Sequence, residues 1–368
     1  MKNKTTTVLI IIICLLLTLR DYIQAVSKML SPILSITAYG LIFFAFFYDV
    51  YFLRNQKIER TTLKYTLVLL LCCILNFEAY TLLLLYMFVY VIRDYDYKKI
   101  IDYFFYPRLV FSIVLVIAFY LGLTPDTTMD LSYKGVENAH NFGITGNPNN
   151  ASFVFFSLEV LMFLRGCLRK SKLEFCLPIA IAFWNHSMTG SRTFLGAIFV
   201  LYVLYIFIHW NILFKLSYLS PFLAIAMTFA IAIWCRDSLI LNGLFSGRPW
   251  RWHDWLKEMN IIQLWFGPGI ESTEKITIDS SVLEIVIYGG LLLLILLCKD
   301  YIRLGYRKKD KTELAQWALL HVLVFAGIME SLMFSQIRDI VILNYVFLYN
   351  ILREKKKKTS YMLHYQGL

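Results

Sequence analysis

Apolar stretches recur along the whole chain, and most of the lysines and arginines lie in every second loop between them. Hydrophobic residues make up 59% of the 368 residues, whereas a soluble domain contains about 45–50%. A bilayer offers no water to backbone polar groups, so a chain of this kind must satisfy them within helices. The pattern predicts an all-α polytopic membrane protein that forms a single integral membrane domain over residues 1–368.

Twelve apolar segments are predicted to cross the membrane as helices. They are Val8–Leu19, Ile33–Leu53, Tyr65–Phe77, Tyr80–Ile92, Leu109–Leu123, Ala151–Leu164, Phe175–Ser187, Phe194–Trp210, Tyr218–Trp234, Val282–Leu297, Leu314–Glu330 and Ile340–Leu352. Asn76-Phe77-Glu78 is interpreted as a tight outer turn between the third and fourth segments. A single helix over Tyr65–Ile92 is the alternative.

The distribution of basic residues predicts the orientation of the chain. With the N-terminus inside, 26 of the 36 lysines and arginines fall on the inner side, and Arg108 is placed there, just before the Leu109–Leu123 segment. Inner loops of membrane proteins carry such an excess of basic residues. One helix over Tyr65–Ile92 would turn the later basic loops outward, so the bias favours about twelve crossings with both termini inside.

Composition also argues against several other classes of protein. The net charge of +11 is explained by the basic inner loops, so we expect membrane lipid rather than nucleic acid as a partner. The seven cysteines are scattered, mostly in apolar runs, and are interpreted as small apolar side chains. No phosphate loop, nucleotide-binding glycine pattern or metal-ligand spacing occurs, so neither a cofactor nor a metal is expected.

Two outer loops concentrate the turn-forming and polar residues, one at residues 124–150 and a larger one at 235–281. In the larger loop, Ser246-Gly247-Arg248-Pro249 predicts the start of a helix, because proline fits the first helical turn. We therefore predict a short amphipathic helix that lies at the membrane surface with three indoles among the lipid headgroups. The indoles belong to Trp250, Trp252 and Trp255.

Arginines on the outer side are the predicted anion-binding groups. Arg192 begins a span, where it either extends towards the surface as a structural cation or binds a lipid phosphate. Arg248 and Arg251 lie in the first turn of the predicted helix, where free backbone N–H groups and the helix dipole favour an anion. We interpret this pair as a diphosphate site, with a basic patch on anionic lipid as the alternative. Arg338 begins the last span and is expected to pair with Asp339.

A general base is expected among the acidic and histidine side chains of the outer segments. Asp279 directly precedes a span, where burial and nearby arginines tune a carboxylate. His186 lies near the same turn as Arg192, although a histidine at a helix end is more often structural. The remaining candidates are His253, Asp254, His140 and Glu330.

Several short motifs in the outer segments resemble those of one bacterial family. The motifs are Gly146-Asn147-Pro148-Asn149, Ser191-Arg192, Gly247-Arg248 shortly before Trp252, Gly267-Pro268-Gly269, Asp279-Ser280 and Gly289-Gly290. Together they resemble the O-antigen polymerase and O-antigen ligase superfamily (Wzy and WaaL). The resemblance covers residues 140–290 by motif and the whole chain by topology.

The resemblance implies a metal-independent glycosyltransferase with a GT-C-like membrane fold in the cytoplasmic (inner) membrane of a bacterium. Its substrates would be oligosaccharide repeat units on undecaprenyl diphosphate, joined by inverting transfer at the outer face into capsule, exopolysaccharide or O-antigen. A flippase and a chain-length regulator are the implied protein partners. Arg192 and Arg248 carry over as diphosphate-binding residues, and Asp279 as the group that activates the acceptor. Asn147, Asn149 and His186 are further candidates for binding the substrate.

The chain departs from the family pattern at Asp279-Ser280. Ligases of the family tend to have His-Asn at this position and many polymerases have Asp-Asn, so the departure disfavours a ligase. A flippase for the lipid-linked unit is the other alternative, and it should carry polar residues along a passage through many spans. Here the polar residues concentrate in two outer loops, so a polymerase is the principal prediction.

Overall fold

The computed structural model describes most of the chain, and it divides into two compact units. The described residues are 4–23, 27, 29–53, 60–75, 79–131, 136–144, 148–208, 210–245, 247–268, 279–304, 313–330 and 337–350. The first unit comprises residues 1–58, 87–205 and 337–344. The second unit comprises residues 59–86, 206–336 and 345–368.

The described residues form helices and one two-stranded sheet. In chain order these are α1 (Lys4–Ile23), α2 (Leu30–Tyr48), α3 (Arg60–Leu75), α4 (Tyr80–Ile92), α5 (Tyr97–Tyr120), β1 (Thr128–Leu131), β2 (Val136–His140), α6 (Pro148–Arg169), α7 (Lys172–Thr189), α8 (Arg192–Phe207), α9 (Asn211–Leu216), α10 (Ser220–Trp234), α11 (Leu239–Leu244), α12 (Arg248–Glu258), α13 (Ile261–Phe266), α14 (Ser281–Leu304), α15 (Leu314–Met329) and α16 (Asp339–Asn350). A π-helical turn over Asp49–Leu53 extends α2, and a 3-10 turn over Ser217–Leu219 precedes α10.

Five helical segments are long and apolar enough to cross a membrane, which indicates a multi-pass membrane protein. They are Lys4–Ile23, Leu30–Phe52, Tyr97–Tyr120, Pro148–Arg169 and Phe214–Trp234. Each of the twelve predicted segments overlaps a helix, but many of these helices are shorter than a full crossing requires. Twelve crossings with both termini inside therefore stay a prediction. The turn predicted at residues 76–78, between α3 and α4, lies outside the described residues.

The beginning of α5 differs from the prediction and changes the position of Arg108. The Asp96 carboxylate accepts the N–H of Lys98 and caps a helix that begins at Tyr97, well before the predicted Leu109. Arg108 is therefore part of the helix and is almost fully buried, rather than lying in an inner loop. The predicted start of this span at Leu109 was therefore wrong, because the Asp96 cap begins the helix at Tyr97 and the chain stays helical through Pro107.

In the first unit, α6 is the central helix, with nearly its whole length buried. It packs closely on α7, where a Cβ on Gly166 would lie 2.5 Å from the backbone nitrogen of Phe175. The predicted outer loop at residues 124–150 contains the antiparallel hairpin β1–β2, with Thr128 opposite His140. Phe142, just after the hairpin, packs on Phe155 of α6. The hairpin is the departure from a purely helical prediction.

In the second unit, two glycine motifs meet where α13 packs on a kink in α14. Gly290 has φ +66°, and a Cβ there would lie 2.1 Å from the backbone carbon of Trp265. Gly267 has φ +91°, and a Cβ there would lie 2.5 Å from the carbonyl oxygen of Ile287. Only glycine fits these two positions, because each combines a left-handed backbone with a close backbone approach. The kink therefore allows α13 to pack backbone to backbone on α14.

Candidate functional site

The helix predicted within residues 235–281 is present and begins at Arg248. Gly247 precedes it with φ +74°, a conformation that glycine adopts without steric cost, and Pro249 lies in its first turn. The helix, α12, ends at Glu258. The short motif Gly247-Arg248-Pro249 thus determines where this helix starts, as the sequence predicted.

One face of α12 is buried against protein rather than lipid. Arg248, Trp252 and Trp255 share this face at helical spacing, and both indoles are almost fully buried. Trp250 is exposed. The prediction that all three indoles lie among lipid headgroups was therefore wrong for Trp252 and Trp255, because α12 packs on α10 within the second unit.

Two arginines of α12 lie beside two carboxylates from other parts of the second unit. Arg248 Nε is 3.7 Å from Asp279 Oδ2, and Arg248 Nη2 is 3.7 Å from Glu330 Oε1. Arg251 Nη2 is 3.6 Å from the same Asp279 oxygen. These three pairs are longer than hydrogen bonds. We call Arg248, Arg251, Asp279 and Glu330 the outer-loop charge cluster.

The serines after Asp279 explain how Glu330 joins this cluster. Ser280 Oγ donates to the carbonyl of Gly327 at 3.3 Å. Ser281 donates to the carbonyl of Glu330 from both its backbone N–H, at 3.1 Å, and its hydroxyl, at 2.6 Å. These bonds hold the start of α14 against the end of α15, so Asp279 and Glu330 approach Arg248 from two chain segments. The sequence named Glu330 as a base candidate but contained no signal that it would meet Arg248.

The backbone at the start of α12 is less available for an anion than the sequence predicted. The N–H of Arg248 donates to Phe245 O at 3.2 Å, and the N–H of Trp250 donates to Asn242 Oδ1 at 3.2 Å. Pro249 has no N–H. The expectation of free N–H groups was therefore wrong, since the preceding turn and Asn242 occupy them. Anion binding here depends on the arginine side chains and the helix dipole.

The other predicted residues of α12 make contacts outside the cluster. His253 Nδ1 donates to the carbonyl of Ala232 at the end of α10, at 3.2 Å. Asp254 forms an ion pair with Arg236 at 3.5 Å. Both contacts attach α12 to the preceding segment, so these two catalytic candidates have structural partners. Their catalytic roles stay predictions.

The remaining predicted residues belong to the first unit. Arg192 is exposed and begins α8, just after Gly190 ends α7 with φ +67°. His186 Nδ1 lies 3.1 Å from the carbonyl oxygen of Ser191, which fixes this turn. Asn149 is half-buried in the first turn of α6. Asn147 lies outside the described residues.

The first unit contains a buried ionic cluster that the sequence did not predict. Asp21 lies 2.9 Å from Arg108 Nη2 and 3.3 Å from Arg338 Nη1, and it also pairs with Arg20 at 3.0 Å. Asp339 accepts from Arg108 Nε at 2.8 Å. We call these five residues the buried charge cluster. Arg338 was expected to pair with Asp339, but the cluster gives it Asp21 as a partner and joins Asp339 to Arg108.

The described residues contain no group of three histidine, cysteine, aspartate or glutamate side chains placed to hold a metal ion. All seven cysteines are free; Cys14, Cys72 and Cys298 are buried, whereas Cys176 is exposed. No protein-family model, no curated protein and no solved structure matches this chain. The resemblance to the O-antigen polymerase and ligase superfamily therefore rests on the short motifs and on the pattern of apolar segments.

Proposed function

We propose that this protein polymerises undecaprenyl-diphosphate-linked oligosaccharide repeat units into a surface polysaccharide at the outer face of a bacterial cytoplasmic membrane. The observation that carries the proposal is the outer-loop charge cluster. Two arginines project from one turn of α12, and their ion pairs with Asp279 and Glu330 are 3.6–3.7 Å long. Arginine offers planar paired donors that match phosphate oxygens.

A diphosphate fits this cluster better than a single carboxylate does. Arg248 is largely buried, and among the described residues its Nε has no hydrogen-bond acceptor within range. A buried donor of this kind gains free energy when an acceptor binds. The Asp279 side chain is 32% exposed, whereas that of Glu330 is 6% exposed. We therefore expect Asp279 to act as the counter-ion that the diphosphate displaces, while Glu330 stays beside Arg248.

In the proposed transfer reaction, the positive charges of Arg248 and Arg251 act on the diphosphate leaving group. The acceptor hydroxyl oxygen forms a bond to the anomeric carbon of the donor sugar as the bond from that carbon to the diphosphate oxygen breaks, and a carboxylate or an imidazole of the protein takes the hydroxyl proton. The bonding electron pair passes to the diphosphate, whose growing negative charge Arg248 and Arg251 stabilise. Direct displacement inverts the anomeric centre, so retained configuration in the new linkage would refute this mechanism.

The test is the lipid-linked sugar pool of a strain that lacks the protein. A polymerase predicts single repeat units on undecaprenyl diphosphate at the outer face, and re-expression of the protein should convert them to polymer. Full-length polymer on the same lipid would instead identify a ligase. Single units confined to the inner face would identify a flippase, and an unchanged pool would overturn the whole proposal.

A further inference from the structure

Helix α13 in the second unit is short, apolar and largely exposed. None of the residues of Ile261–Phe266 is buried. Ile261 and Ile262 are 67% and 68% exposed, and Trp265 and Phe266 are exposed as well. The sequence assigns this segment to an outer loop, where water would surround these four side chains. A contiguous exposed apolar patch of this kind usually contacts a partner or a membrane.

The place where α13 meets α14 indicates its depth in the membrane. Helix α14 begins at Ser281, beside the outer-loop charge cluster, and reaches the basic residue Lys299 at its predicted inner end. At a rise of 1.5 Å per residue this length is at most about 27 Å, and a crossing needs about 30 Å. A crossing by α14 therefore places Gly289 and Gly290 near the middle of the bilayer. Helix α13 packs at this level, because a Cβ on Gly290 would lie 2.1 Å from the backbone carbon of Trp265.

The kink in α14 needs a protein cover inside a bilayer. The backbone angles of Gly289 and Gly290 depart from those of a regular helix. Non-helical backbone is tolerated at membrane depth only where protein buries it or where it lines a cavity. The end of α13 approaches this backbone closely, since a Cβ on Gly267 would lie 2.5 Å from the carbonyl oxygen of Ile287. The segment therefore covers the kink with one side, while its apolar side chains remain exposed.

The polar groups at the start of α13 are bonded within the segment itself, as a bilayer requires. Asn260 Oδ1 accepts the N–H of Gln263 at 2.9 Å, and Gln263 Oε1 accepts the N–H of Asn260 at 3.0 Å. This capping box uses the side chain of Gln263, which is the one polar residue of α13. The N–H groups of Leu264 and Gly267 donate to the carbonyls of Asn260 and Gln263. The segment can therefore enter hydrocarbon without leaving these groups unbonded.

We propose that residues 260–267 form a re-entrant segment that enters the outer leaflet and contacts lipid acyl chains through the exposed side chains of α13. Leu292 and Ile295, which follow the kink in α14, are also exposed and face acyl chains at a similar depth. Because α13 follows α12 after two residues, its insertion tethers Arg248 and Arg251 near the membrane surface. The inference rests on the predicted crossing by α14 and does not depend on the polymerase function.

The first test uses the unaltered full-length protein in bilayer nanodiscs. The discs contain a phospholipid with a photoactivatable diazirine in the middle of its acyl chain, and mass spectrometry locates the lipid adducts after illumination. We expect adducts on α13 and on Leu292 and Ile295 of α14, but none on Lys257 and Glu258 at the exposed end of α12. Adducts on α14 without any on α13 would overturn the proposal.

A second test measures the access of water to single positions. Ile262→Cys in α13, Ile295→Cys in α14 and Lys257→Cys in α12 each replace an exposed side chain, so the fold should be preserved. A water-soluble maleimide reaches both faces of a nanodisc, and mass spectrometry of the labelled peptides separates each new thiol from the seven native cysteines.

Hydrocarbon excludes water, so we expect Ile262→Cys to react about 10-fold or more slowly than Lys257→Cys. Ile295→Cys is the reference for a lipid-facing position and should react as slowly as Ile262→Cys does. If Ile262→Cys reacts as fast as Lys257→Cys while Ile295→Cys stays slow, α13 lies in water and the proposal fails. Fast reaction of both isoleucine variants would overturn the crossing by α14 and the re-entrant segment together.

Discussion

The two charge clusters of this protein contain the same kinds of side chain but differ in how closely these are paired. In the buried charge cluster, ion-pair distances run from 2.6 Å for Arg108 and Asp339 to 3.3 Å for Arg338 and Asp21. In the outer-loop charge cluster, the distances are 3.6–3.7 Å, and Asp279 is about one-third exposed. The charged groups of the first cluster are close enough for direct hydrogen bonds, whereas those of the second are too far apart for them.

This difference in distance and exposure favours a structural role for the buried charge cluster and the proposed ligand-binding role for the outer-loop charge cluster. A buried ion pair at hydrogen-bond distance leaves an uncompensated charge when one partner is removed, which costs about 3–5 kcal/mol. A longer and partly exposed pair contributes only about 0–1 kcal/mol. An incoming phosphate can therefore replace Asp279, the partly exposed carboxylate of the outer-loop charge cluster, at low cost. The buried charge cluster instead joins α1, α5 and the start of α16 in the first unit.

Removal of Arg108 should have the largest effect on stability. Arg108→Met leaves Asp21 and Asp339 buried without their shared cation, so we expect a loss of about 3–5 kcal/mol. Thermal unfolding of the detergent-purified protein would measure it, with Lys99→Met at an exposed site of the same helix as the control. An unchanged unfolding temperature in Arg108→Met would show that the buried cluster is not a structural element.

Removal of Arg248 should have the largest effect on activity while leaving stability nearly intact. Arg248→Lys keeps the charge but loses the paired donors, and we expect polymer formation to fall by about 10²-fold or more. Polymer length on gels and membrane insertion would be measured together. Lys257→Ala, at an exposed site of the same helix, is the matched control. Normal polymer from Arg248→Lys would remove the diphosphate site from α12.

The same aspartate-to-asparagine change in both clusters gives the most direct comparison. Asp339→Asn weakens charge-assisted bonds to Arg108 and should destabilise the fold by about 1.5–3 kcal/mol. Asp279→Asn removes the competing counter-ion and should change stability by less than about 1 kcal/mol while strengthening diphosphate binding. Equilibrium unfolding and binding of inorganic pyrophosphate would report the two effects. Equal destabilisation by both variants would contradict the distinction between the clusters.

Loss of the Ser281 hydroxyl should have the smallest effect. Ser281→Ala removes the 2.6 Å bond to the Glu330 carbonyl, at a cost of about 1 kcal/mol, but keeps the backbone N–H bond. Glu330 should then hold Arg248 less firmly, so we expect a several-fold rise in KM with little change in kcat. A fall in kcat at constant KM would show that this serine acts on the chemistry instead.

Local signals in the sequence predicted local structure well. The left-handed Gly247 and Pro249 define the start of α12 within three residues, and each predicted apolar segment overlaps a helix. The hairpin was missed because its strands have only four and five residues, Thr128–Leu131 and Val136–His140, and the second strand lacks the apolar alternation that predicts strands. The early start of α5 was missed because the Asp96 cap precedes a stretch interrupted by charges and Pro107.

The sequence by itself determined that this chain is helical and apolar and that α12 begins at Arg248. Only the tertiary structure decided which charges meet. Arg108 pairs with a residue 231 positions later, and Arg20 with a carbonyl 317 positions later. Glu330 meets Arg248 where Ser280 and Ser281 bond the start of α14 to the end of α15. Helix caps and turns depend on a few neighbouring residues, whereas ion pairs depend on packing between distant segments, which no local pattern encodes.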